Sequence, residues 1–588
     1  MHPTGGVAAN ETEWDPWQSI PERYNLGEAL TGGNVRGGRG DKPALLWENA
    51  EGAKRSVTYG ELDRLSTNLA RSLQHVGLQP GDRVFLRLPN LPEFYVAALA
   101  VAKAGGIFIP SSTQFRAPEV EYRLRDSGAF AAIVTTDLLA AVEEVADRCP
   151  DLKRVIVIPY PETDLRVPAY ENFHELCRED FAPQHSAGEW KPVDTHSSDP
   201  AFLAYTSGTT GDPKGVVHRH RYPLSYDSLI RYWHDYRERD IVACPSELGW
   251  LLPVASTFLY ALRSGVTIVL YDAMARRFDP AVWFGLFDRY RITNFTAPPT
   301  VYRMMMAAAA DEAAEEFDLS RWRHAASAGE PLPADTFHAI RRTFGVTPLD
   351  GIGMSECMVY CFNRIDRPVH PGSCGRPGPG TVIELLDEDL QPVPPGSEGI
   401  LCVRRDSHPG MMKEYWRKPE LTAEIFRGAW YVSGDVVRAD DEGNFWFRGR
   451  ADDVIKASGY RISPFEVESC LCCHPAVLEA AAVECPDATR GMVVKAFVVL
   501  RAGIEANDPL AAEIREFVRN RIAPYKCPRE LEFIEVLPKT TSGKTRRRLL
   551  REQERRAAAF EDGPMVGAAA DPVVAGPTSW AGGGVQFR

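Results

Sequence analysis

The sequence predicts an α/β protein: a large N-terminal domain of mostly parallel sheets covered by helices, then a small α+β C-terminal domain. Three observations predict it. Helix-period and strand-period segments alternate from about residue 40 to residue 450. The texture of the chain changes near residue 450. And 588 residues is more than one hydrophobic core normally serves.

The elements follow in order. Thr58 to Glu61 is a capping box, with Leu62, Leu65, Leu69 and Leu73 on one face behind it and Gly77 closing the helix. Val84–Leu88 is a buried strand, Glu93 to about Lys103 a second helix, and Ile107–Ile109, Ala132–Val134 and Val155–Ile158 are further strands. After residue 450 come a strand at Val454–Ala457, a helix opened by Ser463-Pro464-Phe465-Glu466, and strands near Leu478–Val483 and Val493–Leu500. A helix over Leu510–Ile522, a strand over Leu531–Leu537 and a basic helix complete the domain. The expected division is a disordered tail over 1–20, a large domain over 21–451, a small one over 452–556, and a second tail over 557–588, since both ends are rich in Gly, Ala and Pro.

Composition narrows the function. A net charge of -13 argues against a nucleic-acid binder. The N-terminus has no basic, apolar signal pattern, so a cytoplasmic protein with reduced cysteines is expected. Leu251–Tyr271 is interrupted by Ser264-Gly265 and carries Arg263, so it reads as a core helix and a buried strand, not a membrane span. Cys470, Cys472, Cys473 and His474 look metal-like, but on a helix sequence neighbours point apart, which favours core residues.

One stretch carries chemistry. Thr206-Ser207-Gly208-Thr209-Thr210-Gly211-Asp212-Pro213-Lys214-Gly215 follows an apolar strand. Its glycines let backbone amides approach an anion, its hydroxyls donate to phosphate oxygens, and Lys214 adds charge. It is not the ordinary P-loop pattern, because Pro213 stands where the second glycine belongs. His218 and His220 just beyond it are read as structural.

This stretch resembles the signature of the adenylate-forming superfamily, which includes acyl-CoA synthetases. The resemblance spans about residues 40 to 555. It implies ATP, Mg²⁺ and coenzyme A as reactants, a carboxylic acid as substrate, and an acyl adenylate between the two half-reactions. Ala328-Gly329-Glu330-Pro331 is similar to the family's adenine-contacting turn, and Asp350-Gly351-Ile352-Gly353-Met354-Ser355-Glu356 to its next motif. The resemblance implies that Asp350 accepts from the adenine amino group, Ile352 packs on the purine, Ser355 contacts phosphate and Glu356 holds Mg²⁺. The position of Ile352 is usually aromatic. Asp435 and Arg450 resemble the ribose clamp, and Asp452 the hinge on which the small domain rotates. Gly459, beside Ser458, would admit the pantetheine arm, and Arg461 would face phosphate. Lys544, in Pro538-Lys539-Thr540-Thr541-Ser542-Gly543-Lys544, would offset charge on the attacking carboxylate and the α-phosphate.

The acid is read from local resemblances. Val493–Leu500 and Ala523–Arg529 look like medium-chain acyl-CoA synthetases, and Asp350–Gly353 like benzoate-CoA ligases. Trp250, Gly353 and Met354 are assigned to the acyl pocket. Acetate enzymes carry Trp at the Gly353 position, so an acid larger than acetate is expected: medium-chain, alicyclic or aromatic. The alternative for Trp250 is a core aromatic. Two other functions stand beside this one: delivery of the acyl group to a carrier protein, and a non-catalytic nucleotide-binding protein. Arg546-Arg547-Arg548 reads as a solvated basic face or a contact for coenzyme A phosphate. An acetyltransferase acting on Lys544 would silence the enzyme.

Overall fold

The computed structural model describes residues 15–161, 167–182, 190–206, 212–274, 276–310, 314–451, 453, 455–457, 460–487, 491–540 and 544–561. Two large sheets dominate. One has seven strands in the order Glu171–Asn172, Arg154–Ile158, Ala131–Thr135, Arg83–Arg87, Ile107–Ser111, Pro200–Tyr205 and Gly215–Arg219. All its pairings are parallel except the last, an antiparallel hairpin. The other has nine strands, parallel through its centre from Pro348–Ile352 to Pro43–Asn49, with antiparallel pairs at both ends.

Helices Tyr59–His75 and Pro92–Lys103 share one buried core with strands of both sheets. The first is opened by the capping box read from sequence, Thr58 bonding the Glu61 amide and Glu61 bonding back. The second is buried all round, as expected of a helix between two sheets. Leu251–Ser264 is helical with a π segment over Val254–Tyr260, and the buried strand Thr267–Asp272 follows. No helix among the described residues is long and apolar enough to cross a membrane.

A smaller antiparallel sheet over Ile383–Leu386, Glu398–Arg404, Phe426–Arg427, Trp430–Ala439 and Phe445–Arg450 leads to the C-terminal part. There Val477–Asp487, Gly491–Leu500 and Glu530–Phe533 form a three-stranded sheet packed by Pro464–Cys472, Asp508–Arg519 and Arg547–Glu561. Its buried clusters draw only on residues from Ile455 onward.

Two sequence expectations change. Residues 15–20 are not a free tail: the Trp17 indole donates to the Asp406 carbonyl at 2.9 Å and lies under the Arg221 guanidinium at 4.9 Å. The last helix runs to Glu561, into the expected tail, because its basic and acidic residues pair back onto the domain.

Four buried imidazoles have a consequence for acid stability. Burial pushes His218 down to about 3 and His220, His324 and His408 to about 4. Unfolded imidazoles take up protons near 6.5. The unfolded chain therefore binds more protons between these limits, so stability is complete above pH 6.5 and falls as pH drops toward 4. His408 Nδ1 accepts from the Gly410 amide at 3.1 Å, and Asn can keep that bond without titrating. In urea unfolding across pH, His408→Asn should flatten the acid slope by up to about 1.4 kcal/mol per pH unit. Identical slopes would show that His408 carries none of it.

Candidate functional site

The site grows from the carboxyl ends of parallel strands, where open α/β sheets bind their ligands. Strand Pro200–Tyr205 delivers the phosphate stretch and Gly215–Arg219 receives it, with Tyr205 facing Gly215. The stems close on themselves: Thr206 N donates to Lys214 O at 3.0 Å, and Lys214 N to Thr206 Oγ1 at 3.1 Å. Ser207, Gly208, Thr209, Thr210 and Gly211 lie outside the described residues.

Strand His324–Ser327 ends at Ala328-Gly329-Glu330-Pro331 beside Pro348–Ile352, which carries Asp350. Gly329 is exposed, takes φ +96°, and has open space where a side chain would point. Glu330 is held by the Thr300 hydroxyl at 2.8 Å and by Arg303 at 3.4 Å. Asp350 is buried. One carboxylate oxygen accepts from Leu332 N at 3.4 Å and the other has no partner among the described residues. Burial raises its carboxyl well above the usual range. A buried acceptor without a donor is a slot for an incoming N–H. Ile352 is half-buried on the cluster of the smaller antiparallel sheet.

Glu356 is buried, and its Oε1 accepts from the Tyr415 hydroxyl. The Lys214 ammonium lies 4.9 Å above the same tyrosine ring. Burial first, and the Glu356 charge second, push the Tyr415 phenol far upward, so it stays a donor. No basic side chain pairs with Glu356 among the described residues. A lone buried carboxylate next to a phosphate-binding stretch suits Mg²⁺, which prefers one or two carboxylates with phosphate oxygens and water.

Asp435 and Arg450 face each other in register across two antiparallel strands, with Arg450 Nη1 3.1 Å from Asp435 Oδ1. Arg450 also donates to the Ser433 carbonyl at 2.9 Å and to Met354 Sδ at 3.6 Å. The clamp thus reaches the Asp350–Glu356 segment directly.

The AMP-binding enzyme family matches residues 34–416, and its C-terminal domain matches residues 466–544. This chain belongs to the AMP-binding enzyme family. It is an acid–thiol ligase that works with ATP, Mg²⁺ and coenzyme A through an adenylate. The uncharacterized acyl-CoA ligase YtcI of Bacillus subtilis (strain 168) is 37% identical over 535 residues, 91% of this chain and 97% of its own length. The mitochondrial acyl-coenzyme A synthetase ACSM4 of Mus musculus is 37% identical over 546 residues, 91% of each chain. The crystal structure of the anthranilate CoA ligase AuaEII with anthranoyl-AMP superposes with a TM-score of 0.83 at 31% identity, covering 92% of this chain and 99% of that one.

In this AMP-binding enzyme the residues assigned to the acyl pocket change meaning. A Cβ at Gly353 would lie 2.5 Å from Val359 N and 2.6 Å from Met358 C, both backbone atoms. The glycine is there because another backbone segment crosses it, and its side-chain direction is not open pocket. Met354 turns its sulfur to Arg450, whose guanidinium also meets Asp435. Trp250 is half-buried with its ring edge-on to Phe115 at 6.0 Å, on the core of helix Ala117–Ser127. Its neighbour Glu247 bonds Ser112 Oγ at 2.7 Å and Thr113 N at 2.5 Å, tying this turn to the end of strand Ile107–Ser111.

The structure does not bring the C-terminal residues to this pocket by any described contact. Lys544 is exposed beside the short bridge Lys539–Thr545, its carbonyl accepting from Thr540 N at 2.8 Å. Arg461 lies in the hairpin Ile455–Ala457/Tyr460–Ile462, paired in register with Lys456. Asp452, Ser458 and Gly459 lie outside the described residues. Arg547 is not a solvated cation: it pairs with Glu468 at 2.6 Å and Asp453 at 3.4 Å.

Cys470, Cys472, Cys473 and His474 do not converge. Cys470 is buried and Cys472 exposed, while His474 faces Glu513. Among the described residues the converging group is Cys485, Glu530 and Glu554, and Lys495 already sits in it, 2.9 Å from Glu554.

Tyr415 is the functional residue that sequence reading missed. Only its spacing to Lys214 and Glu356 in space, not in sequence, marks it. Asp350→Asn should raise KM for ATP about fivefold, the weight of one ordinary hydrogen bond, with no loss in thermal unfolding temperature. An unchanged KM for ATP in steady-state pyrophosphate release would remove Asp350 from the nucleotide pocket.

Proposed function

We propose that this enzyme activates an acid larger than acetate, namely a medium-chain, alicyclic or aromatic carboxylate, and passes it to coenzyme A. The observation that carries this reading is the full-length likeness to the anthranilate CoA ligase, whose crystal structure holds an aromatic acyl adenylate. The crossing at Gly353 does not bear on the acid. A tryptophan there, as acetate enzymes have, requires the Met358–Val359 backbone to stand elsewhere. For the same reason Gly353→Trp would report on backbone displacement, not on pocket length.

The roles follow from chemistry. The acid is ionised at neutral pH, so no general base is needed. Asp350 accepts the adenine amino group, Asp435 the ribose hydroxyls, and Lys214 and the neighbouring hydroxyls hold phosphate. Glu356 would hold Mg²⁺, which would supply charge against the phosphates. Lys544 offsets charge as the carboxylate attacks the α-phosphate. It is exposed, so an acetyltransferase can reach it.

A panel of acids in pyrophosphate release tests the substrate. The specificity constant should rise about fourfold for each methylene buried beyond acetate, since each is worth about 0.8 kcal/mol. Octanoate, cyclohexanecarboxylate, benzoate or anthranilate should therefore outrun acetate by at least about tenfold. Acetate ranking first would overturn the reading.

Lys544→Ala tests the mechanism. Adenylate formation should fall by about 10²–10³, the weight of one preorganised charge contact. Thioester formation from supplied acyl adenylate should survive. Equal losses in both halves would remove Lys544 from the first.

A further inference from the structure

We infer that one face of the helix Ala117–Ser127 is a clamp that sets the phosphate-binding stretch for ATP, with Asp126 and Tyr122 as its positioning residues. The two side chains stand four residues apart, on the same face. Asp126 Oδ2 accepts from the Tyr205 hydroxyl at 2.7 Å. Tyr205 is the last strand residue before the phosphate stretch. The Tyr122 hydroxyl donates to the Pro213 carbonyl at 2.8 Å. Pro213 directly precedes Lys214 on the far stem. One helix face therefore grips both stems of the stretch.

A third group locks the face. Lys418 Nζ is 2.8 Å from Asp126 Oδ1 and 3.4 Å from the Tyr122 oxygen. It comes from the segment that also carries Tyr415, three residues earlier. That segment runs beside the receiving strand, with Trp416 N bonded to Gly215 O at 2.7 Å and Val217 N to Glu414 O at 3.0 Å. Asp126 is 13% exposed and Lys418 23%, so water competes weakly for these bonds.

The arrangement has a purpose beyond holding the fold. At the strand ends Tyr205 pairs with Gly215 in register, and Thr206 and Lys214 bond each other just beyond. Bonds from Tyr205 and Pro213 to a helix with its own core add a second tie to each stem, so Lys214 is presented from a set position. Pre-organisation of this kind shows in ligand affinity more than in stability.

The inference rests on the reading that this stretch binds the phosphates of ATP. Asp126→Asn should raise KM for ATP about tenfold, and Tyr122→Phe, which removes one hydroxyl, about threefold. KM for the acid and the thioester half-reaction from supplied acyl adenylate should stay within about twofold. In the Lys418→Met background, Asp126→Asn should add less than it does alone, because the two groups act as one unit.

Binding of a non-hydrolysable ATP analogue, measured by calorimetry, should weaken by the same factors. It tests the clamp even if no acid in the panel supports turnover, which would count against the functional reading instead. Folded variants with ATP affinity within about twofold of wild type would overturn the clamp. So would KM values for ATP and acid that rise together with a lowered unfolding temperature, the mark of a purely structural network.

Discussion

The hydrogen bond from the Tyr415 hydroxyl to Glu356 joins three segments that the chain keeps far apart. Glu356 is 5% exposed, and a carboxylate so placed must be paired or ligated. Tyr415 supplies the one neutral donor, and the Lys214 ammonium rests over its ring. Backbone bonds hold the ring in place. Met412 N reaches the Glu356 carbonyl at 2.7 Å, and Lys413 N reaches Val217 O at 2.9 Å. The segment carrying Tyr415 is stitched to the phosphate hairpin on one side and to the Asp350–Glu356 segment on the other.

The same segment separates two carboxylates by environment. Asp350 has an oxygen with no donor, and burial holds its carboxyl up. Glu356 has a hydroxyl donor at hand. The first suits a ligand that brings an N–H, the second a ligand that brings a cation. On the proposed reading, the seven residues Asp350–Glu356 would present an acceptor and a metal ligand to two ends of one nucleotide. The aromatic platform usual at Ile352 is absent, and the half-buried isoleucine packs on the core of the smaller sheet instead. On the proposed reading, purine contact here would be aliphatic.

What was legible in the sequence follows the range of the interactions. The capping box at Thr58 and the buried strands are set within a few residues, and the structure has them. The motif order along the chain was enough for the fold class, because each strand end carries its own short signature. Tyr415 was not legible, since its partner stands 59 residues away. Nor was the clamp, where Asp126 and Lys418 are 292 residues apart. Arg547 read as solvated because its run looks uniform, yet its carboxylates come from Glu468 and Asp453. Gly353 was read as missing side-chain volume. The structure gives it the opposite reason, a backbone in the way.

The contacts around residue 452 divide by strength. Asp453 is tied to the last helix by Arg551 at 2.9 Å and by Arg547, which also holds Glu468. These pairs lie wholly within the C-terminal part, and they fasten the chain just past Asp452 to the helix that follows Lys544. Among the described residues, contacts to the rest of the molecule are fewer and softer. Cys473 donates its thiol to Asp335 at 3.3 Å, Phe465 meets Phe447 edge-on at 5.6 Å, and the Ser463 hydroxyl reaches the Arg448 carbonyl. Each is worth about 1 kcal/mol. The family resemblance implies a rotation at Asp452. With strong ion pairs inside and weak contacts across, such a rotation would break about three small interactions and carry Lys544, Arg461 and their domain as one body.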